Sequence, residues 1–72
     1  MSNLKALRQE ISATQEDIIR EGRLTGTTYR NAERGNKVRY STANTILQTF
    51  NRLRASKGMS ELALHDLDLS LE

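Results

Sequence analysis

Side chains with hydrogen-bonding or cationic groups are concentrated between residues 25 and 39. They include Thr25, Thr27, Thr28, Arg30, Asn31, Arg34, Lys37 and Arg39. The only carboxylate in this stretch is Glu33. Asparagine and arginine can each form two hydrogen bonds to a base edge, threonine can contact a thymine methyl, and cations neutralise phosphates. This combination is typical of a surface that reads the major groove of duplex DNA.

Two short helices are expected to position these groups. Thr14 is a predicted N-cap of the first, which places Ile18 on its inner face. Thr25 is a predicted N-cap of the second, and Tyr29 and Ala32 lie three residues apart on its inner face. The hydroxyl, amide and guanidinium groups then lie on the outer face of the second helix.

The rest of the chain also has helical periodicity, which predicts an all-α fold, a compact bundle of about five helices. The predicted helix boundaries are Asn3 to Ile11, Thr14 to Gly22, Thr25 to Gly35, Ser41 or Thr42 to Gly58, and a fifth helix capped by Ser60. Leucines alternate with polar residues from 67 to 71, a pattern that fits either a short strand or a frayed tail.

Two sequence pieces, TQEDI at residues 14–18 and ERG at residues 33–35, carry a family resemblance. Together with the Leu4-x-x-Leu7-Arg8 spacing, they resemble the Cro/phage-repressor type helix-turn-helix proteins, also called the xenobiotic-response-element family. The resemblance extends from about Leu4 to Leu67. It implies a single lambda-repressor-like domain over residues 1–72, with a helix-turn-helix core at residues 14–35.

The resemblance also assigns roles to particular residues. It implies that Gly26, Thr27 and Asn31 occupy base-reading positions, and that Gln15 contacts the DNA backbone. The full set of predicted DNA-binding residues is Gln15, Thr25, Gly26, Thr27, Thr28, Arg30, Asn31, Arg34, Lys37 and Arg39. The alternative for each of them is an ordinary solvent-exposed or capping role.

The same family resemblance has three further implications for the structure. Arg8 and Glu33 match a structural salt bridge between the first helix and the end of the third. The family usually has alanine at Ile19 and glycine at Arg23, whereas the glycine here is Gly22. The simplest expectation is a shifted turn with Gly22 in the left-handed conformation, and otherwise Arg23 must adopt a positive φ.

Composition limits the remaining possibilities. The chain has 72 residues, no cysteine and one histidine, so we expect one small domain without a disulfide, zinc site or other cofactor. Residues 20–57 contain nine cations against two carboxylates, whereas residues 58–72 contain four carboxylates and no lysine or arginine. A polyanion should therefore be attracted to the middle of the chain and repelled by its end.

Other functional classes are less well supported. His65 stands alone beside Asp66 without a nucleophile, so we do not expect an enzyme, and Asp66 and Asp68 are more simply solubilising charges than metal ligands. Apolar runs are too short for a membrane span or a signal peptide. We therefore expect no membrane association and a cytoplasmic, nucleoid-associated protein.

The predicted function is sequence-specific regulation of transcription on double-stranded DNA. The alternative is an antitoxin or phage excision accessory whose main partner is another protein, such as a toxin or a recombinase. Residues 59–72 are a candidate dimerisation element, since a single small module makes few base contacts. The candidate homodimer residues are Met59, Leu62, Leu64, Leu67, Leu69 and Leu71, and the alternative is a tail folded back on its own domain.

Overall fold

A computed structural model describes residues 2–72, most of which are helical. Its elements are α1 (Leu4–Glu10), α2 (Gln15–Gly22), α3 (Gly26–Glu33), α4 (Tyr40–Ser56) and a single 3-10 turn (Leu64–Leu67). The predominance of helix predicted from the sequence is confirmed. The predicted fifth α-helix is wrong, because the 3-10 turn is the only helical segment after α4 in the described residues.

Hydrogen bonds between near neighbours in sequence begin α2 and α3 at the predicted residues. The Thr14 hydroxyl accepts from the Asp17 amide at 3.1 Å, and Asp17 Oδ2 accepts from the Thr14 amide at 2.9 Å. The bond from the Thr14 amide holds the pKa of the Asp17 carboxyl below its usual value. At α3, the Thr25 hydroxyl accepts from the Thr28 amide at 3.2 Å. Each cap satisfies an amide that the first helical turn leaves without a partner.

The segment after α4 is shaped by long-range hydrogen bonds rather than by a Ser60 cap. Asn51 of α4 accepts from the Leu62 amide at 2.7 Å and donates to the Leu62 carbonyl at 3.0 Å. In a helix the Leu62 carbonyl would accept from the Asp66 amide, but here it accepts from Asn51, and the Asp66 amide donates to the Ala63 carbonyl at 3.0 Å. Asn3 likewise forms no side-chain cap, and its Nδ2 instead donates to the Asp66 carbonyl at 3.1 Å.

The turn between α2 and α3 does not follow the simplest sequence expectation. Gly22 is the last residue of α2, and Arg23 adopts the left-handed conformation with φ 54° and ψ 40°. A Cβ atom on Gly22 would lie 2.8 Å from the Thr49 hydroxyl of α4. Gly22 therefore provides space for helix packing, and Arg23 carries the backbone strain of about 1–2 kcal/mol.

The core lies where the four helices and the 3-10 turn meet. Helix α4 packs against α2 and the 3-10 turn, and α3 packs against α2 and α1. The buried apolar residues are Leu4, Ile11, Ile18, Tyr29, Ala32, Val38, Ala43, Ile46, Phe50 and Leu67. Helix α4 begins at Tyr40, one residue before the predicted Ser41.

The C-terminal residues fold back onto the domain. Val38 donates to the Ser70 carbonyl at 2.8 Å and accepts from the Glu72 amide at 3.0 Å, which forms an isolated parallel bridge between Val38 and Leu71. Leu67 is fully buried within the single chain, so it has no surface to offer a partner. The alternation at residues 67–71 therefore corresponds to one bridge rather than to a helix or a regular strand.

The lengths of the helices can be compared with the length that a membrane span requires. The longest helix, α4, has 17 residues. Among residues 2–72, no helix combines the length and hydropathy needed to cross a bilayer.

Candidate nucleic-acid interface

Helix α3 is oriented by its buried face. Tyr29 and Ala32 are fully buried, whereas Thr27 is exposed and Arg30 and Asn31 are partly exposed. Since residues three and four apart share a helix face, burial of the first two turns the polar side chains outward. The inner and outer faces of α3 predicted from spacing are those observed.

A half-buried ion pair holds the C-terminal end of α3. Arg8 of α1 donates from Nε and Nη2 to the two carboxylate oxygens of Glu33, at 2.9 and 3.2 Å. The two side chains are 14% and 9% exposed. Gln15 of α2 adds a third hydrogen bond, from Nε2 to Glu33 Oε1 at 3.1 Å. One carboxylate thus connects α1, α2 and α3.

This arrangement shifts the pKa values of its members. Burial opposes ionisation of Glu33, but hydrogen bonds from Arg8 and Gln15 outweigh it and hold the pKa of Glu33 below its usual value. The bond to Glu33 raises the pKa of Arg8 further. Burial, reinforced by the adjacent Glu33 carboxylate, strongly raises the pKa of Tyr29. The Tyr29 hydroxyl is buried without a well-aligned hydrogen-bond partner in residues 2–72.

The position of Gln15 bears on its predicted contact with DNA. Its amide nitrogen points inward to Glu33, and the side chain is only partly exposed. Gln15 therefore has a structural role in the folded domain, in addition to its predicted contact with the DNA backbone.

Arg30 is held in a defined position on the outer face. Its Nη2 donates to Glu16 Oε1 of α2 at 3.0 Å, and the two side chains are 43% and 68% exposed. A Cβ atom on Gly26 would lie 2.5 Å from Arg30 Nη1. The guanidinium therefore lies over the bare Cα of Gly26, one helical turn before Arg30. The spacing of Arg30 in α3 gave no sign of a carboxylate partner from α2.

A polar groove of about 260 Å³ runs between α3, the loop after it and the start of α4. It is lined by Thr28, Asn31, Lys37, Val38, Arg39, Thr42 and Glu72. Four predicted DNA-binding residues are thus brought together, whereas Arg34 is exposed outside the groove and Thr25 and Thr27 lie at the start of α3. Thr42 and Glu72 were not predicted, because they reach the groove only through tertiary contacts.

Glu72 brings a carboxylate to the basic surface, although the acidic end and the basic residues are separate in the sequence. The bridge between Val38 and Leu71 carries the last residue to the groove that also contains Lys37 and Arg39. A carboxylate there opposes binding of a polyanion by like-charge repulsion.

The basic stretch seen in the sequence is not one continuous surface. Arg54 is 7% exposed, and it donates to Glu10 Oε1 and to the Ser60 carbonyl, each at 2.8 Å. Arg52 donates to the Glu21 carbonyl at 2.8 Å. By contrast, Arg34, Lys37 and Arg39 are exposed and form no ion pair within residues 2–72. These three residues therefore keep unpaired positive charge beside α3.

No protein-family model, curated protein or solved structure matches this chain.

The Glu33 network predicts a specific dependence of stability on pH. Glu33→Gln should lower the free energy of unfolding at neutral pH by about 1.5–3 kcal/mol, because a charged hydrogen-bond acceptor is lost. Since the pKa of Glu33 is lowered on folding, its contribution is complete above the ordinary value of 4.5 and disappears as the pH falls through the folded pKa. The stability difference between wild type and variant should therefore shrink below about pH 4.5.

Urea denaturation at a series of pH values measures this difference. Glu61→Gln, which changes an exposed carboxylate, is the matched control and should differ from wild type by less than about 0.5 kcal/mol. A wild-type advantage over Glu33→Gln that stays constant from neutral pH to pH ~3 would contradict the proposed role of this pair.

Proposed function

We propose that the protein binds duplex DNA sequence-specifically and regulates transcription, with α3 in the major groove. In this proposal α2, the turn at Arg23 and α3 form a helix-turn-helix. The turn supports the proposal because three residues, 23–25, separate the two helices, as is usual for this motif.

The groove beside α3 is the observation that carries the proposal. Thr28 and Asn31 contribute hydrogen-bonding groups from the helix, and Lys37 and Arg39 contribute charge from the following loop. The Asn31 amide is of the kind that reads base edges. The Thr28 hydroxyl and the two cations are of the kind that contact phosphates. The two kinds lie next to each other, as contact with both a groove and its backbone requires.

The proposed roles divide the surface residues into two groups. Thr27, Arg30 and Asn31 face bases, because they lie on the outer face of α3. Thr25, Thr28, Arg34, Lys37 and Arg39, together with Gln15, hold the DNA backbone. The amides in the first turn of α3 add a favourable partial positive charge for phosphate.

Lys37→Ala and Asn31→Ala should have different effects on DNA binding. Loss of Lys37 should weaken binding to all sequences and reduce the salt slope by about 0.9, because one fewer counterion is released. Loss of Asn31 should instead reduce discrimination at one base pair by about 1–3 kcal/mol. The measurement is a titration, over a salt series, of duplexes selected from a random pool.

Lys57→Ala is the matched control, since it removes an exposed lysine at the far end of α4. Absence of binding by the wild type to any duplex at about 50 mM salt would overturn the proposal. Recovery of one dominant protein partner without nucleic acid would then favour the antitoxin or excision-accessory alternative.

Glu72→Gln should increase affinity for DNA. The substitution removes a carboxylate from the groove that contains Lys37 and Arg39 while keeping the size of the side chain. We expect about a threefold to tenfold increase at low salt, which diminishes as salt screens the repulsion. The same titration measures it, with Glu61→Gln as the control for loss of one exposed negative charge. Equal affinities of the Glu72→Gln and Glu61→Gln variants would show that the position of the carboxylate is unimportant.

The proposal includes a homodimer formed through the C-terminal residues. A second groove, of about 460 Å³, is lined by Leu64, His65, Asp68, Leu69 and Leu71, and Leu71 is 41% exposed. Met59 and Leu62 are half-buried against the core. The Val38 bridge uses the Ser70 and Glu72 main-chain groups, so the N–H and C=O of Leu71 face the opposite edge. That edge and the leucines offer a second copy both hydrogen bonds and apolar surface.

Leu71→Ser should shift the protein towards the monomer in sedimentation velocity experiments. Serine retains the main-chain bridge but removes most of the exposed apolar surface. Tyr40→Ser is the matched control, because Tyr40 is an exposed apolar residue at the start of α4. A wild type that is monomeric at high micromolar concentration, free and on DNA, would refute the dimer.

A further inference from the structure

The environment of Arg30 differs from that of every other exposed cation near α3. Its guanidinium lies between the Glu16 carboxylate, at 3.0 Å, and the bare Cα of Gly26. Arg34, Lys37 and Arg39 have no such partner within residues 2–72. Two residues from different helices thus fix the position of one arginine on the outer face.

Gly26 provides the space that the guanidinium of Arg30 occupies. A side chain in a helix leans towards the N-terminus, so Arg30 naturally covers the residue four positions earlier. Any Cβ at position 26 would approach Nη1 to 2.5 Å and Cζ to 3.2 Å. A residue other than glycine would therefore move the guanidinium to another position, although it would suit the helix itself better.

Glu16 provides the carboxylate that accepts a hydrogen bond from the guanidinium, and it also changes the electrostatic character of Arg30. A carboxylate at 3.0 Å offsets much of the positive charge, and it repels a phosphate that approaches the same place. The guanidinium nevertheless has five N–H donors, only some of which face Glu16. The pair is therefore poorly suited to a phosphate and well suited to a neutral base edge with two acceptors.

We infer that Glu16 and Gly26 are specificity-determining positioning residues, which hold Arg30 so that it reads a guanine edge rather than a phosphate. This inference rests on the proposed function. Guanine is the base concerned because its O6 and N7 accept two hydrogen bonds from one guanidinium. Holding the side chain beforehand reduces the conformational entropy lost on binding.

The inference predicts a different effect for each of three substitutions. Arg30→Ala should reduce discrimination at one guanine by about 5- to 100-fold while leaving the salt slope almost unchanged. Glu16→Gln should release Arg30 as a free cation, which increases affinity for non-specific DNA, steepens the salt slope by up to about 0.9 and reduces discrimination at the same base pair. Gly26→Ala should reduce that discrimination while keeping or raising the melting temperature.

The experiment selects preferred duplexes from a random pool with the wild type, and then titrates each variant against the selected site and single-base changes of it. Glu21→Gln is the matched control for Glu16→Gln, since it removes an exposed carboxylate from the same helix without touching α3's groove. Gly26→Ala is also made in the Arg30→Ala background. There it should have no further effect on base discrimination if Gly26 acts through Arg30.

The outcomes separate this inference from the proposed function. A wild type that selects a site, with Glu16→Gln and Gly26→Ala retaining full discrimination at the base pair affected by Arg30→Ala, would overturn the inference alone. A steepened salt slope for Glu21→Gln equal to that for Glu16→Gln would overturn the role of position 16. A wild type that binds no duplex would overturn the proposed function and the inference together.

Discussion

The Glu33 carboxylate is the constraint on which the arrangement of the first three helices depends. It accepts two hydrogen bonds from Arg8 and one from Gln15, so residues far apart in sequence meet at the end of α3. Helix α3 has only eight residues, too few for independent stability in water. Its orientation therefore comes from this ion pair and from the burial of Tyr29 and Ala32. Removing one partner would leave a half-buried charge unpaired.

The cations of the chain fall into three physical classes that net charge does not distinguish. Arg8 is partly buried and Arg54 is buried by helix packing, and both stabilise the fold through directed hydrogen bonds. Arg30 is exposed but paired with a carboxylate. Arg34, Lys37 and Arg39 are exposed and free of ion pairs within residues 2–72. Cations of the last class retain their full attraction for a polyanion, and these three lie beside α3.

The residues that leave space for a neighbouring side chain are different from the residue that adopts the left-handed backbone conformation between α2 and α3. Gly22 and Gly26 leave room for Thr49 and Arg30, respectively, because a Cβ atom at either position would lie too close to those side chains. The left-handed turn between α2 and α3 is instead made by Arg23. A glycine in the sequence thus marked the correct turn but for a different physical reason, which is why the conformational expectation at Gly22 was wrong.

The sequence by itself determined what depends on near neighbours. Thr14, Asp17 and Thr25 begin their helices through hydrogen bonds spanning three residues, and the spacing of Ile18, Tyr29 and Ala32 selects the buried faces. These features are readable because helical periodicity and capping are local. The outer face of α3 was predictable for the same reason, and so was the polar character of the candidate site.

Tertiary structure decided the features that join distant residues. Asn51 binds Leu62 in the segment where a fifth α-helix was expected, Glu16 pairs with Arg30, and the bridge from Val38 brings Glu72 to the groove. Each of these side chains has many partners of suitable chemistry along the sequence. The packing of whole helices therefore decides which partner it meets. The sequence shows which groups are able to pair, whereas the folded chain selects the partners that lie within a few ångströms.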